Sequence, residues 1–146
     1  MKETLEEFGS VIQQFSAKLM KISETESARR RGAEKWSTKE ILGHLIDSAS
    51  NNHQRFVRGQ QTAELRTPGY EQQFWVSSQR YQSEPWENLV QLWKSYNLHL
   101  LHVVSAVPAS ALSHQCIIGE DKPETLEFVI KDYVRHLKHH FEQIFQ

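Results

Sequence analysis

The chain has 146 residues, and its 17 lysines and arginines nearly balance its 18 aspartates and glutamates. That length predicts one domain over residues 1–146, and the charge balance excludes the basic surface of a general nucleic-acid binder. The unbroken apolar stretches are far shorter than a membrane span requires. Residues 1–7 lack the apolar run of a signal peptide, and Cys116 is the single cysteine, so we expect a cytoplasmic protein without an internal disulfide.

The first predicted helix covers residues 5–22. Its apolar side chains recur at intervals of three and four residues, which is typical of an amphipathic helix; they are Leu5, Phe8, Val11, Ile12, Phe15, Leu19 and Ile22. The polar residues 23–34 predict a loop. The arginines at positions 29–31 are better explained as solvated surface than as a phosphate clamp.

The second predicted helix begins after Ser37 and runs to Gly59. Ser37 can cap the free amides, Glu40 stands where a capping box requires it, and Trp36 can act as the hydrophobic staple. One face is apolar and includes Val57. The other face carries His44, Asp47, Ser48, Asn51 and Arg55. This polar face differs from the lysine and glutamate face of plain solvent exposure, although Asp47 and Ser48 taken singly fit a solvated position equally well.

Residues 60–83 form a long connection with a short predicted helix over residues 70–81. A connection of more than about 15 residues in a compact domain usually has a functional or topological role. Here it would let the second and third helices of a four-helix bundle run parallel. Phe74 and Trp75 could wall a pocket, but we favour the interpretation that they cover the end of the bundle.

The third predicted helix begins at Ser83, with Ser83 as its cap and Pro85 in its first turn. Its buried stripe comprises Leu89, Leu92, Trp93, Tyr96, Leu100, Val103, Val104 and Val107. Pro108 ends it. His99 and His102 lie outside the stripe, so we expect them to face solvent.

The fourth predicted helix follows a loop over residues 109–124, in which Cys116 is interpreted as a small buried hydrophobe. Thr125 caps this helix. Its core face consists of Leu126, Val129, Ile130, Tyr133, Leu137, Phe141 and Ile144. His136 and His140 border that face, whereas His139 points away from it.

The histidines of the second and fourth helices suggest a metal site. His136 and His140 are four residues apart, which places both imidazoles on one face of a helix. Two such ligands need a third from elsewhere, and His44 would supply it if the two helices are neighbours. Asp47 and Asp132 each lie about one turn from one of these histidines, where they could orient an imidazole or remain in solvent.

Three neutral imidazoles would leave one position on a divalent ion for water or a thiol, which the ion would activate. A di-iron bundle fits less well, because the chain lacks the pairs of Glu-x-x-His that such a site needs. The sequence also contains no glycine-rich phosphate loop, no Gly-x-Ser-x-Gly elbow and no His-Glu-x-x-His motif.

Residues 35–48, with Trp36, Ser37 and His44, and residues 132–140, with His136 and His140, resemble the DinB/YfiT-like superfamily. The resemblance implies an all-α four-helix bundle with a long crossover between helices two and three, commonly a homodimer. It also implies one divalent metal ion, zinc or nickel, held by three histidines, which by position are His44, His136 and His140. Family members include thiol-dependent transferases and isomerases that use low-molecular-weight thiols, and hydrolases.

The leading hypothesis is therefore a metal-dependent enzyme in which that ion activates a thiol or water against a small-molecule substrate. Asn51 and Arg55 continue the face that carries His44 and would line the pocket. The competing hypothesis is a non-catalytic, dimeric, stress-associated helical protein with a structural or vestigial metal site. The ligand set does not distinguish zinc from nickel, iron or manganese, because imidazole binds all of them.

Overall fold

The computed structural model describes residues 1–146. It contains six α-helices: α1 (Lys2–Met20), α2 (Glu24–Ala28), α3 (Thr38–Gln61), α4 (Gln72–Gln79), α5 (Trp86–Ser105) and α6 (Leu126–Ile144). Three short strands complete the fold: β1 (Glu64–Thr67), β2 (Gln115–Ile118) and β3 (Glu124–Thr125). None of the helices combines the length and the apolar character that crossing a membrane requires.

The four long helices α1, α3, α5 and α6 form the predicted bundle around a core of 29 buried residues. Lys39, at the start of α3, donates to the carbonyl of Glu84, just before α5, at 2.7 Å. The two helices therefore begin at the same end of the bundle and run parallel. Gly59, near the end of α3, packs against Leu126 at the start of α6, so these two helices are antiparallel. The predicted crossover between the second and third bundle helices is confirmed.

The capping predictions are confirmed for two of the helices. Ser37 and Glu40 form a reciprocal capping box at the start of α3, and Thr125 accepts the Phe128 amide at the start of α6. Ser83 does not cap α5. That helix begins after Pro85, and the amide of Trp86 donates to the carboxylate of Glu24 at 2.7 Å, a partner that is distant in sequence.

The all-α prediction omitted a three-stranded sheet, with strands in the order β1-β2-β3. β1 pairs in parallel with β2, with Leu65 opposite Cys116, and β2 pairs antiparallel with β3. Leu65 and Cys116 are buried, which confirms the interpretation of the cysteine as a small hydrophobe. Strands of two to four residues carry little periodic signal, and their partners lie far along the chain, so the sequence pattern did not indicate them.

The predicted loop over residues 23–34 contains the short helix α2, which Ser23 caps. Its arginines are exposed, yet two of them make specific contacts. Arg30 forms an ion pair with Glu40 at 2.7 Å. Arg31 donates to the carbonyls of Gln143 and Ile144 at 2.7 and 2.6 Å, where it satisfies acceptors that the end of α6 leaves free.

Three apolar side chains are more exposed than the sequence pattern predicted. Val57 and Leu92 were predicted on buried stripes but are 49% and 45% exposed, and Phe74 is 68% exposed. Val57 and Leu92 lie at the edges of their apolar stripes, where a helix turns from the core towards solvent. The predicted short helix is confirmed as α4, but Phe74 does not cover the bundle end. His99 and His102 are exposed, as predicted.

Candidate metal centre

His44 lies in the second turn of α3, a few residues after the capping box that fixes the start of the helix. Its side chain is 1% exposed. The Trp36 ring, just before the cap, lies against the imidazole with the two ring centroids 5.1 Å apart. The same local sequence that starts the helix therefore also limits where the His44 ring can turn.

His136 and His140 lie one turn apart on α6, at the edge of its buried face. The intervening Leu137 is fully buried in the core, which holds the helix in this rotation. The Nε2 atoms of the two histidines are 3.1 Å apart. α6 therefore presents both nitrogens towards the same point.

The structure brings His44 to this pair. His44 Nε2 lies 3.3 Å from His136 Nε2, and one ring nitrogen from each histidine lies within 4.8 Å of the others. Nitrogens bound at 2.0–2.1 Å to a tetrahedral ion are about 3.3–3.4 Å apart. The spacing of the three nitrogens is thus consistent with one metal ion between them.

Hydrogen bonding alone does not account for these contacts. An imidazole nitrogen carries either one proton or one lone pair in the ring plane. His136 Nε2 has a histidine nitrogen close on both sides, so it can satisfy only one of them. A cation at the common point would satisfy all three lone pairs at once.

The electrostatics favour neutral imidazoles. Burial, followed by the neighbouring histidines His140 and His136, lowers the pKa of His44 to about 3. Burial, with His140 as the next cause, lowers the pKa of His136 to about 4. Burial also lowers the pKa of His140. All three imidazoles are therefore uncharged at neutral pH, and the uncharged imidazole is the form that binds metals.

The second nitrogen of each ring has a different environment. His140 Nδ1 lies 2.9 Å from Gln143 Oε1, and this acceptor assigns the proton to Nδ1 and leaves Nε2 free as a ligand. His136 Nδ1 lies 3.5 Å from Ser48 Oγ. His44 Nδ1 is buried without a partner.

Neither aspartate predicted near the histidines forms a hydrogen bond with an imidazole. Asp132 pairs with Arg135 on the surface of α6. Asp47 is buried rather than solvated. One of its oxygens accepts from the hydroxyl of Tyr81 at 2.6 Å and from Gln79 at 2.7 Å, and burial raises its pKa.

Tyr81 approaches α3 closely because Gly43 has no side chain. A Cβ atom at Gly43 would lie 2.1 Å from Tyr81 Cδ2. The glycine before His44 therefore admits the ring that delivers a hydroxyl to Asp47. This role of Tyr81 was not predicted, and the glycine in the middle of a helix was the available signal for it.

A cavity of about 390 Å³ opens beside His136. Its polar wall comes from α3 and consists of Ser48, Asn52 and Arg55, and Tyr70, Cys116 and Tyr133 also line it. Arg55 thus lies where the sequence analysis expected it. Asn51 does not line the cavity, and its amide donates to the backbone carbonyl of Asp47. Asn52 lines the cavity instead. Ser48, Asn52 and Arg55 are separated by four and three residues, so they share one face of α3.

Comparison with solved structures identifies proteins of the same fold. YfiT from Bacillus subtilis, described as a probable metal-dependent hydrolase with an unusual four-helix bundle topology, matches with a TM-score of 0.81 and 18% identity, over 99% of this chain and 85% of that one. The mycothiol-dependent maleylpyruvate isomerase matches with a TM-score of 0.76 and 13% identity. That match covers 96% of this chain and 59% of the isomerase, so this chain spans less than two thirds of the isomerase.

A histidine-to-alanine mutant of the same isomerase matches similarly, with a TM-score of 0.77 and 14% identity, over 96% of this chain and 59% of that one. No curated protein sequence matches the chain. The sequence model of the DinB superfamily matches residues 1–144, which is nearly the full length. The chain therefore belongs to the DinB superfamily.

Proposed function

We propose that this protein is a metal-dependent enzyme whose single divalent ion is held by His44, His136 and His140. The observation that carries the proposal is the approach of three Nε2 atoms, at 3.1 and 3.3 Å in succession, in a buried site beside a cavity. Zinc or nickel is the proposed ion, because imidazole nitrogens suit both. With three protein ligands, a fourth position would remain for a reactant, as is usual in catalytic rather than structural sites.

A divalent ion at this position would lower the pKa of a water molecule or a thiol and make it a nucleophile near neutral pH. The chain's own groups would prepare the site for this chemistry. Burial keeps the three rings unprotonated, Gln143 fixes the tautomer of His140, and the polar wall of α3 offers hydrogen bonds to a small-molecule substrate. We propose thiol transfer or hydrolysis as the reaction class.

The relatives support both reaction classes. The description of YfiT as a probable metal-dependent hydrolase favours water, and the dependence of the isomerase on mycothiol favours a thiol. The two reaction classes differ in the nucleophile, which is water in one and a low-molecular-weight thiol in the other, and separate assays distinguish them.

Kinetic assays of protein stripped with a chelator and then reloaded with zinc or nickel test this function. An electrophilic aryl halide offered with a thiol reports transfer, and an activated ester without thiol reports hydrolysis. We expect metal-dependent turnover in one of the two assays. His136→Ala should reduce it by more than about 100-fold, since losing even a residue that only orients a metal ligand costs about 10–100-fold.

His139→Ala is the matched control, because His139 is the exposed neighbour of the ligands on the same helix. It should retain the turnover, and circular dichroism should show both variants folded. Equal rates with stripped and reloaded protein would contradict the proposal. Loss of the helical fold in His136→Ala would instead favour the competing hypothesis of a structural metal site in a non-catalytic protein.

A further inference from the structure

Arg55 is a buried cation without an anionic partner. Its side chain is 8% exposed, yet it takes part in none of the ion pairs of the structure. Its one hydrogen bond is a long contact of 3.4 Å from Nη1 to Oδ1 of Asn52. Exposed arginines of the same chain, such as Arg30 and Arg66, do have a carboxylate partner. Burying an unpaired charge is costly, so the position of Arg55 calls for a partner that the chain does not itself supply.

The acidic residues around the cavity are mostly paired elsewhere. Glu124 pairs with Lys122 at 3.3 Å, and Asp132 pairs with Arg135. Asp121 also lines the cavity but is exposed and forms no hydrogen bond with the guanidinium. The inner end of the cavity therefore carries a positive charge, and the compensating carboxylates lie on its rim or outside it.

A line of polar groups connects Arg55 to the histidine cluster along one wall of the cavity. His136 Nδ1 lies 3.5 Å from Ser48 Oγ, Ser48 Oγ lies 3.3 Å from Asn52 Nδ2, and Asn52 Oδ1 contacts Arg55. A molecule in this cavity can thus reach His136 with one end and the guanidinium of Arg55 with the other.

We propose that Arg55 binds a carboxylate of the small molecule whose reacting group lies at the three histidines. This inference rests on the proposed function and adds to it that a reactant is an anion. A planar guanidinium suits a carboxylate because it can donate two parallel hydrogen bonds. The carboxylate belongs either to the thiol or to the electrophile, and both would use the same chemistry at Arg55.

Calorimetric titration tests whether Arg55 binds a carboxylate and whether that carboxylate must belong to a thiol. The purified protein, loaded with zinc, is titrated with mercaptohexanoate, with mercaptohexanol and with hexanoate at constant ionic strength. Mercaptohexanoate should bind about 10- to 100-fold more tightly than mercaptohexanol, the range expected for a hydrogen bond to a charged group. Arg55-dependent binding of hexanoate alone would show that an anion without a thiol also uses the site.

Arg55→Gln should remove the preference for the carboxylate, and Arg55→Lys should keep part of it. Arg58→Gln is the matched control, because Arg58 lies one turn further along α3, exposed and bonded only to Gln54, and it should keep the full preference. Equal affinities for the two thiols, or a preference that survives Arg55→Gln, would overturn the inference. Failure of Arg58→Gln to keep the preference would overturn it too, since the effect would then be one of overall charge.

Repeating the titrations with metal-stripped protein distinguishes this inference from the proposed function. An Arg55-dependent preference that persists without metal supports the anion site even if the metal proposal fails. Full metal loading together with equal affinities for the acid and the alcohol overturns the anion site alone. If Arg55→Gln does not fold, the comparison of Arg55→Lys with the wild type decides, because a lysine lacks the bidentate geometry and should weaken the preference measurably.

Discussion

The low pKa values of the clustered histidines give the metal-free protein a specific dependence on pH. The unfolded chain takes up protons on these rings below their usual pKa of 6.5, whereas the folded chain resists them until about pH 4 at His136 and about pH 3 at His44. The folded state therefore loses stability as the pH falls from 6.5 towards 4, by at most about 1.4 kcal/mol per pH unit for each histidine. Urea denaturation of metal-free protein between neutral pH and about pH 5 measures this slope.

His136→Gln should show a smaller slope than the wild type over that range, because one of the responsible rings is gone. His102→Gln should keep the wild-type slope, since it replaces an exposed histidine of α5 that lies outside the cluster. Comparing variants removes the contribution of the carboxylates, which both proteins share. A wild-type slope in His136→Gln would contradict the assignment of a buried neutral imidazole at this position.

At the residue scale, helical phase was enough to place some side chains and not others. The four-residue spacing of His136 and His140 predicted one shared face, and the polar face of the second helix predicted Arg55 in the cavity. Helical phase did not decide between Asn51 and Asn52. The two side chains differ by about 100° in direction around the helix, and the sequence does not show on which side of the polar face the cavity lies. Nor did it reveal the partners of Asp47 and Asp132, which depend on side-chain rotamers and on Tyr81, far along the chain.

At the scale of the element, Gly43 and Gly9 make a matched pair of helical glycines. Alanine is favoured over glycine in a helix by about 1 kcal/mol. At Gly9 of α1 a Cβ atom would make an ordinary contact of 3.6 Å with Leu101, so Gly9→Ala should stabilise the fold by about 0.5–1 kcal/mol. At Gly43 it would collide with Tyr81 and separate that hydroxyl from Asp47, so Gly43→Ala should destabilise by about 1–3 kcal/mol.

Chemical denaturation of the two variants at neutral pH checks both signs. A stabilising effect of Gly43→Ala would show that the Tyr81 ring does not hold the position described above. A destabilising effect of Gly9→Ala would instead indicate that α1 packs more tightly against α5 than the structure shows.

The long elements were predictable because each carries its own signal, either an apolar period or a cap such as Ser37 with Glu40. The elements that the sequence analysis missed depend on contacts between distant segments. α5 begins where it does because its first amide meets Glu24 of α2. β1 and β2 pair although about 50 residues separate Leu65 from Cys116, and no local pattern encodes such pairing.

At the scale of the whole molecule, the histidine cluster joins the beginning of α3 to the far end of α6. The crossover that makes α3 and α5 parallel leaves α3 and α6 antiparallel. Because α3 and α6 are antiparallel, His44 near the start of α3 lies beside His136 and His140 in the second half of α6. The family resemblance anticipated the topology, whereas spacing alone left open whether the two helices are neighbours. A bound ion would cross-link α3 to α6 and stabilise the folded state by an amount that rises with the logarithm of its free concentration.

The metal content of the purified protein shows whether His44, His136 and His140 hold an ion. Protein expressed without a histidine tag and dialysed exhaustively is analysed by mass spectrometry for zinc and nickel, in parallel with His44→Gln and His139→Gln. We expect about one ion per chain in the wild type and in His139→Gln, and well below that in His44→Gln. A wild-type protein that never takes up a stoichiometric ion, or a His44→Gln variant that keeps it, would contradict the account.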